Sequence, residues 1–126
     1  MGSPIIIVVD DQKFFCDTIE TILKNKYEVH SFYSGKDAIK YLEGNPADMV
    51  LLDYVMPELT GYETMMRIRA INSVSKVPII FLTAELNERM KTEMIDRGAC
   101  DYICKPIDAS VLKTCIEKHL PHNTGR

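Results

Sequence analysis

Asp10 and Asp11, Asp53, Thr83 and Lys105 stand directly behind four short apolar runs, at residues 4–9, 49–52, 78–82 and 101–104. Three carboxylates, a hydroxyl and an ammonium gathered in one crevice would make an unusual electrostatic site. Carboxylates within a few ångströms repel one another and drive at least one pKa upward unless a cation neutralises them. The ligands on offer are all oxygen, without His or Cys, which suits Mg2+ or Mn2+ rather than zinc. Mg2+ normally keeps waters that a phosphate oxygen can replace, so the set suits phosphate chemistry. Taken singly, each residue has a plainer reading. An Asp-Asp pair can cap a helix, Asp53 can serve a Pro-containing turn, Thr83 can be a second cap and Lys105 a solvated charge. Independent caps need not fall behind different inner strands, and that coincidence carries the inference.

The elements that must position these residues follow from periodicity. Apolar runs at 4–9, 27–32, 49–52, 78–82 and 101–104 alternate with stretches of helical period, which is β-α repeated five times. Three runs, beginning at Ile5, Met49 and Ile79, are continuously apolar, as parallel strands covered on both faces are. Helices therefore lie on both sides of the sheet. Phe15, Ile19, Ile22 and Leu23 make one apolar stripe, and Val111, Leu112, Cys115, Ile116 and His119 another; both read as core. Thr60-x-x-Glu63 predicts a capping box, Asp108 predicts a cap on the last helix, and Gly44 and Gly98 stand where helix ends favour positive φ. Alternating strands and helices with short loops imply right-handed crossovers and an open doubly wound α/β sheet, whose ligand crevice lies beyond the carboxyl ends of the strands.

Bulk properties set the limits. A chain of 126 residues fits one domain burying roughly two thirds of its unfolded surface. A formal charge of -3 with no basic stripe argues against nucleic acid as a direct partner. The apolar runs are too short to span a bilayer and no charged-then-apolar leader precedes the first, so a cytoplasmic location is expected. Met1-Gly2 is not followed by the Ser or Thr at position 6 that a myristoylation signal wants. Cys16, Cys100, Cys104 and Cys115 have neither zinc-ligand nor C-x-x-C spacing and read as buried small hydrophobes in a reducing compartment. Residues 4–120 are expected to be the domain, 1–3 a cloning remnant, and 121–126 a tail or the start of a linker to a further domain.

Asp10-Asp11, the stretch from Asp53 through Met56-Pro57 to Gly61, Thr83-Ala84 and Lys105-Pro106 together resemble the receiver domain of bacterial two-component response regulators, including the single-domain chemotaxis type. Thr83, Tyr102 and Lys105 follow Asp53 by 30, 49 and 52 residues, and the ordered set is far more specific than any single motif. The resemblance implies a flavodoxin-like (βα)5 fold with five parallel strands in the order 2-1-3-4-5. It also implies a phosphoacceptor switch of a phosphorelay, taking its phosphoryl group from the phosphohistidine of a sensor histidine kinase or phosphotransfer protein and catalysing only its own phosphorylation and dephosphorylation.

By the same resemblance Asp53 is the nucleophile that forms an acyl phosphate. Asp11, Asp53 and the backbone carbonyl of Val55 would hold Mg2+, for which Mn2+ could substitute, with Asp10 acting through metal-bound water. Lys105, aimed by a cis bond to Pro106, would meet a phosphoryl oxygen. Thr83 is expected to hydrogen-bond the phosphoryl group after having a poorer partner before it, and Tyr102 to turn into the space Thr83 vacates. Val55 and Glu85 flank the path of the hydrolytic water and are expected to tune the phosphate lifetime. Residues 85–120 are the expected face for an effector or output domain, and for a phosphorylation-dependent homodimer.

Three other classes compete. A haloacid-dehalogenase-like phosphatase needs Asp-x-Asp after the first strand, whereas here the acids are adjacent and Gln12 follows. A flavodoxin-like cofactor binder wants a hydroxyl- and glycine-rich phosphate loop there, and Asp10 and Asp11 would repel a phosphate that lacked a metal. A degenerate receiver serving only as a binding module is disfavoured by the filled reactive positions.

Overall fold

Strands that are apolar on both faces need a helical layer on each side, and the chain supplies two. The computed structural model describes residues 2–85 and 87–120. The strands are β1 (Ile5–Val9), β2 (Glu28–Phe32), β3 (Met49–Asp53), β4 (Ile79–Thr83) and β5 (Asp101–Cys104). They alternate with helices α1 (Lys13–Leu23), α2 (Gly35–Leu42), α3 (Gly61–Arg69), α4 (Glu88–Asp96) and α5 (Ala109–His119), and a short 3-10 turn at Asn72–Val74 precedes β4. All strand pairs are parallel, in the order β2-β1-β3-β4-β5. The doubly wound (βα)5 sheet expected from the sequence is the one observed. No helix among the described residues is long and apolar enough to cross a membrane.

Because strand side chains alternate, the sheet sorts its residues between two cores. Ile7, Val9, Val50, Leu52 and Phe81 pack on one face with Ala38 and Leu42 of α2, Met65 and Ile68 of α3, and Met94 of α4. Ile6, Val8, Leu51, Ile80 and Leu82 pack on the other with Cys16, Ile19 and Leu23 of α1 and Leu112, Cys115 and Ile116 of α5. β3 and β4 are buried along their whole length, which fixes the height at which Asp53 and Thr83 emerge.

Local signals set the helix ends. Thr60 Oγ1 accepts from Glu63 N at 3.1 Å while Glu63 Oε1 accepts from Thr60 N at 2.9 Å, the predicted capping box. Asp108 accepts from Val111 N at 3.0 Å, also as predicted, and Asn87 caps α4 through Met90 N at 2.9 Å. Gly98 ends α4 at φ 114°, the left-handed region that favours glycine. Gly44 departs from expectation: it has no positive φ, because the α2 end closes right-handed, with the Glu43 and Gly44 amides on the Ile39 and Tyr41 carbonyls. At the amino end of the sheet the Arg69 guanidinium spans three carbonyls, those of Ser75 at 3.3 Å, Val77, and Gly98 at 3.2 Å.

The cysteine and stripe expectations need correction. Cys16 and Cys115 are buried, but Cys100 is half-buried and Cys104 exposed, since β5 is an edge strand whose last residue faces solvent. Val111 is 54% exposed rather than core, because it stands about 100° round the helix from the buried Leu112, at the edge of the stripe that Leu112, Cys115 and Ile116 bury. Phe15 and Ile22 are only half-buried. Met1 of the expected remnant and the expected tail at 121–126 lie outside the described residues.

Candidate functional site

The five singled-out residues converge. Parallel pairing brings the carboxyl ends of β1, β3, β4 and β5 to one edge, where Asp10, Asp11, Asp53, Thr83 and Lys105 gather. Carboxylate oxygens of Asp10, Asp11 and Asp53 lie within 4.8 Å of one another. Asp10 is fully buried; its amide donates to the Phe32 carbonyl and its Oδ1 accepts from Gln12 N at 2.9 Å. Asp11 is exposed, at the mouth. Asp53 ends β3 and is 4% exposed, and its Oδ1 accepts from Val55 N at 3.2 Å. Asp11, Asp53, Val55, Thr83, Glu85 and Lys105 share a cleft of about 400 Å³.

Lys105 is the counter-charge. Its amide donates to the Thr83 carbonyl at 2.7 Å, which fixes where the side chain starts. Its peptide bond to Pro106 is cis, as the family resemblance implied. The ammonium lies 2.8 Å from Asp10 Oδ2 and 3.4 Å from Asp53 Oδ2, with the side chain only 7% exposed. Asp10 Oδ2 nevertheless has no partner in hydrogen-bonding geometry among the described residues. One buried ammonium thus serves two buried carboxylates, and one negative charge is left over. Burial first, and then the neighbouring Asp10 charge, push the Asp53 carboxyl up to about 6, against the opposing pull of Lys105 and the Val55 amide. A buried carboxylate oxygen held only by a shared ammonium, and an uncompensated charge, in an all-oxygen pocket are what a hard divalent cation would correct. The residues present fit Mg2+.

The residues expected to switch are placed as follows. Thr83 is buried at the end of β4. Its hydroxyl donates to the Glu85 carbonyl at 2.7 Å and accepts from Glu85 N at 3.3 Å. The resting partner is a neutral backbone carbonyl: the β4–α4 loop folds back over the hydroxyl, so any new acceptor must win it from the backbone. Tyr102 pairs with Phe81 across the β4–β5 ladder, on the face that Thr83 shares two residues further along. Its ring is half-buried with Lys91 Nζ 5.6 Å from the centroid. Val55 is 70% exposed at the cleft mouth, opposite Glu85.

Some supporting residues escaped the sequence reading. Phe15, read as a core stripe residue, places its ring centroid 4.1 Å from Lys105 Nζ, a cation-π contact that steadies the ammonium. Gly61 begins α3 so close to β3 that a Cβ would collide with the Asp53 carbonyl and the Tyr54 backbone. Glu58 has φ 64°, which turns the loop back towards α3. A glycine just after a cap residue was the one signal available for Gly61; nothing local marks Phe15 or Glu58.

The model of the response regulator receiver domain matches residues 6–117. The chain belongs to this receiver-domain family. Among curated relatives it is 36% identical to the transcriptional regulatory protein ZraR of Salmonella typhimurium, over 96% of this chain and 27% of that protein. It is 34% identical to a probable cyclic di-GMP phosphodiesterase of Vibrio cholerae, over 96% of this chain and again 27% of the other. This receiver domain therefore spans about a quarter of the length of those relatives. Among solved structures it resembles the chemotaxis protein CheY4 of Vibrio cholerae, with a TM-score of 0.90 and 25% identity over 94% of this chain and 100% of that one. The receiver domain of a sensor histidine kinase from Pseudomonas aeruginosa, whose active-site cleft coordinates a magnesium ion, matches with a TM-score of 0.84 and 29% identity over 93% of this chain and 97% of that one.

Proposed function

We propose that this receiver domain stores a signal as an acyl phosphate on Asp53. The observation that carries the reading is the Asp53 carboxylate, in a cleft it lines with Asp11, with the Lys105 ammonium 3.4 Å away. The Asp53 oxygen attacks the phosphorus of a phosphohistidine on a sensor kinase or phosphotransfer protein. An oxygen–phosphorus bond forms as the nitrogen–phosphorus bond breaks, and the donor imidazole leaves with the electron pair. Asp11, Asp53 and the Val55 carbonyl would hold Mg2+, with Asp10 behind them, and the ion would neutralise phosphoryl charge; Mn2+ has the same ligand preference. Lys105 exchanges part of its pairing with Asp10 and Asp53 for a phosphoryl oxygen.

The switch follows from competition for Thr83. A phosphoryl group brings roughly 1.5–2 negative charges and strong acceptor oxygens within reach of a hydroxyl now bonded to the Glu85 backbone. Drawing the hydroxyl inward releases the β4–α4 loop, and Tyr102, on the same face, moves into the vacated space. The face built from residues 85–120 then changes for an effector, an output domain or a second copy. A cytoplasmic setting belongs to the same reading, as does the absence of direct nucleic-acid contact, which the -3 charge supports.

The test is intact-mass measurement after acetyl phosphate treatment. One phosphoryl group should be added in Mg2+, none in chelator and none to Asp53→Asn. Labelling that persists in the variant would assign the acceptor elsewhere.

A further inference from the structure

We infer that Asp101, Cys115 and His119 form a second metal site, one for a divalent transition ion of the zinc class. It lies where β5 begins, at the opposite end of that strand from Lys105. Cys115 and His119 are four residues apart on α5, so both side chains leave the same face of the helix. Asp101 Oδ2 lies 3.5 Å from Cys115 Sγ and 2.8 Å from His119 Nε2, and all three donor atoms fall within 4.8 Å of one another. The other oxygen of the carboxylate, Oδ1, accepts from Tyr102 N at 2.8 Å, which holds Oδ2 towards the pair as an outer-shell contact orients a ligand.

The spacing matches the chemistry. With zinc–oxygen and zinc–nitrogen bonds of about 2.0–2.1 Å and a zinc–sulfur bond of about 2.3 Å, a tetrahedron has an oxygen–sulfur edge of about 3.5 Å and an oxygen–nitrogen edge of about 3.3 Å. The first edge is already present, the second requires His119 to withdraw by about half an ångström, and the sulfur–nitrogen edge, within 4.8 Å here, must settle at about 3.5 Å. The His119 side chain, 18% exposed in the last turn of α5, has room to do so. A cleft of about 360 Å³ lined by Asp101, Ser110, Thr114, Cys115 and Lys118 opens beside two of the three donors, Asp101 and Cys115, and offers room for a water as fourth ligand.

Softness separates this site from the one around Asp53. A thiolate with an imidazole selects zinc-like ions, whereas three carboxylates select Mg2+. In the free site Cys115 Sγ donates to Asp101 Oδ2, so the sulfur carries a proton. Binding displaces that proton, and a dication then balances one thiolate and one carboxylate around a neutral imidazole.

The experiment uses reduced, chelator-stripped protein with Mg2+ in excess to occupy the carboxylate site, titrated with Co2+ and followed by absorption. One equivalent of Co2+ should give tetrahedral ligand-field bands and a thiolate-to-cobalt charge-transfer band, and added Zn2+ should abolish both. Cys115→Ser should lose the charge-transfer band, and His119→Gln, which keeps a hydrogen-bonding side chain, should weaken binding at least about tenfold, the range seen for metal-site substitutions. Cys100→Ser and Cys104→Ser should leave the spectrum unchanged. No charge-transfer band in the wild-type protein, or one that survives Cys115→Ser or is lost with Cys104→Ser, overturns the assignment. Circular dichroism on each variant separates lost ligation from lost fold.

Discussion

Replacing Asp53 with Asn should make the metal-free protein more stable, and only above the pH at which Asp53 of the unfolded chain begins to ionise. In the resting site Asp10 and Asp53 share the single ammonium of Lys105, 2.8 and 3.4 Å away. Neutralising Asp53 leaves a one-to-one pair. The carboxyl is displaced from 3.8 to about 6. At 1.36 kcal/mol for each tenfold change in the proton equilibrium, ionised Asp53 costs at most about 3 kcal/mol at neutral pH. The sign follows from proton counting. Between pH 3.8 and about 6 the folded protein holds more protons at this site than the unfolded chain, so folding stability falls as pH rises through that window. Below it, Asp53 is protonated and neutral, and exchanging its carboxyl for an amide changes little.

Urea denaturation in chelator, followed by circular dichroism, should show Asp53→Asn ahead by about 2–3 kcal/mol at pH 7.5, a rise in Tm of about 10 °C for a chain of this size, and by only about 1 kcal/mol at pH 4.5, where the window is partly crossed. Added Mg2+ should close the gap by stabilising the wild-type protein in preference, since binding to the folded state stabilises it by mass action. A gap of equal size at both pH values, or none at pH 7.5, would refute the uncompensated-charge reasoning.

The remaining expectations concern neighbouring residues. Lys105→Met removes the shared counter-ion from two buried carboxylates and should destabilise the metal-free protein by about 3–5 kcal/mol, more at pH 8 than at pH 5, in the same denaturation assay. Gly61→Ala places a methyl against the Asp53 carbonyl and the Tyr54 backbone, so it should cost about 1–3 kcal/mol and slow labelling by acetyl phosphate. Thr83→Ala should still be phosphorylated, while the amide-exchange response across α4 and β5 disappears. Val55→Asn puts a water-orienting amide at the cleft mouth and should speed first-order phosphate decay roughly tenfold, the worth of one hydrogen bond of about 1–2 kcal/mol; equal or slower decay would remove position 55 from control of the lifetime.

Most of the fold was legible because burial on two faces writes itself into composition. The runs at Ile5, Met49 and Ile79 read as inner strands for the reason that they are inner strands. The site followed from one rule, that parallel strands deliver their carboxyl ends to a single edge. What escaped notice depends on contacts between distant segments. Thr83 has its resting partner because the following loop folds back to it, and Phe15 meets Lys105 across 90 residues of chain. Asp101 completes a cluster with Cys115 and His119 that linear cysteine spacing could not reveal, since one donor comes from a strand and two from a helix. Cys104 and Val111 were misplaced because an edge strand and a first helical turn carry apolar residues into solvent without interrupting the pattern.

Arg69 makes the two ends of the sheet mechanically unlike. Its guanidinium ties the end of α3 to the segments leading into β4, through Ser75 and Val77, and into β5, through Gly98. Those two strands are thus clamped where they enter the sheet, while at their exits Thr83 and Lys105 open into loops. A beam fixed at one end bends most at the other. On the proposed switch, a pull on the Thr83 hydroxyl would be taken up at the carboxyl end of β4 and in the α4 segment beyond it, rather than at the entry that Arg69 braces.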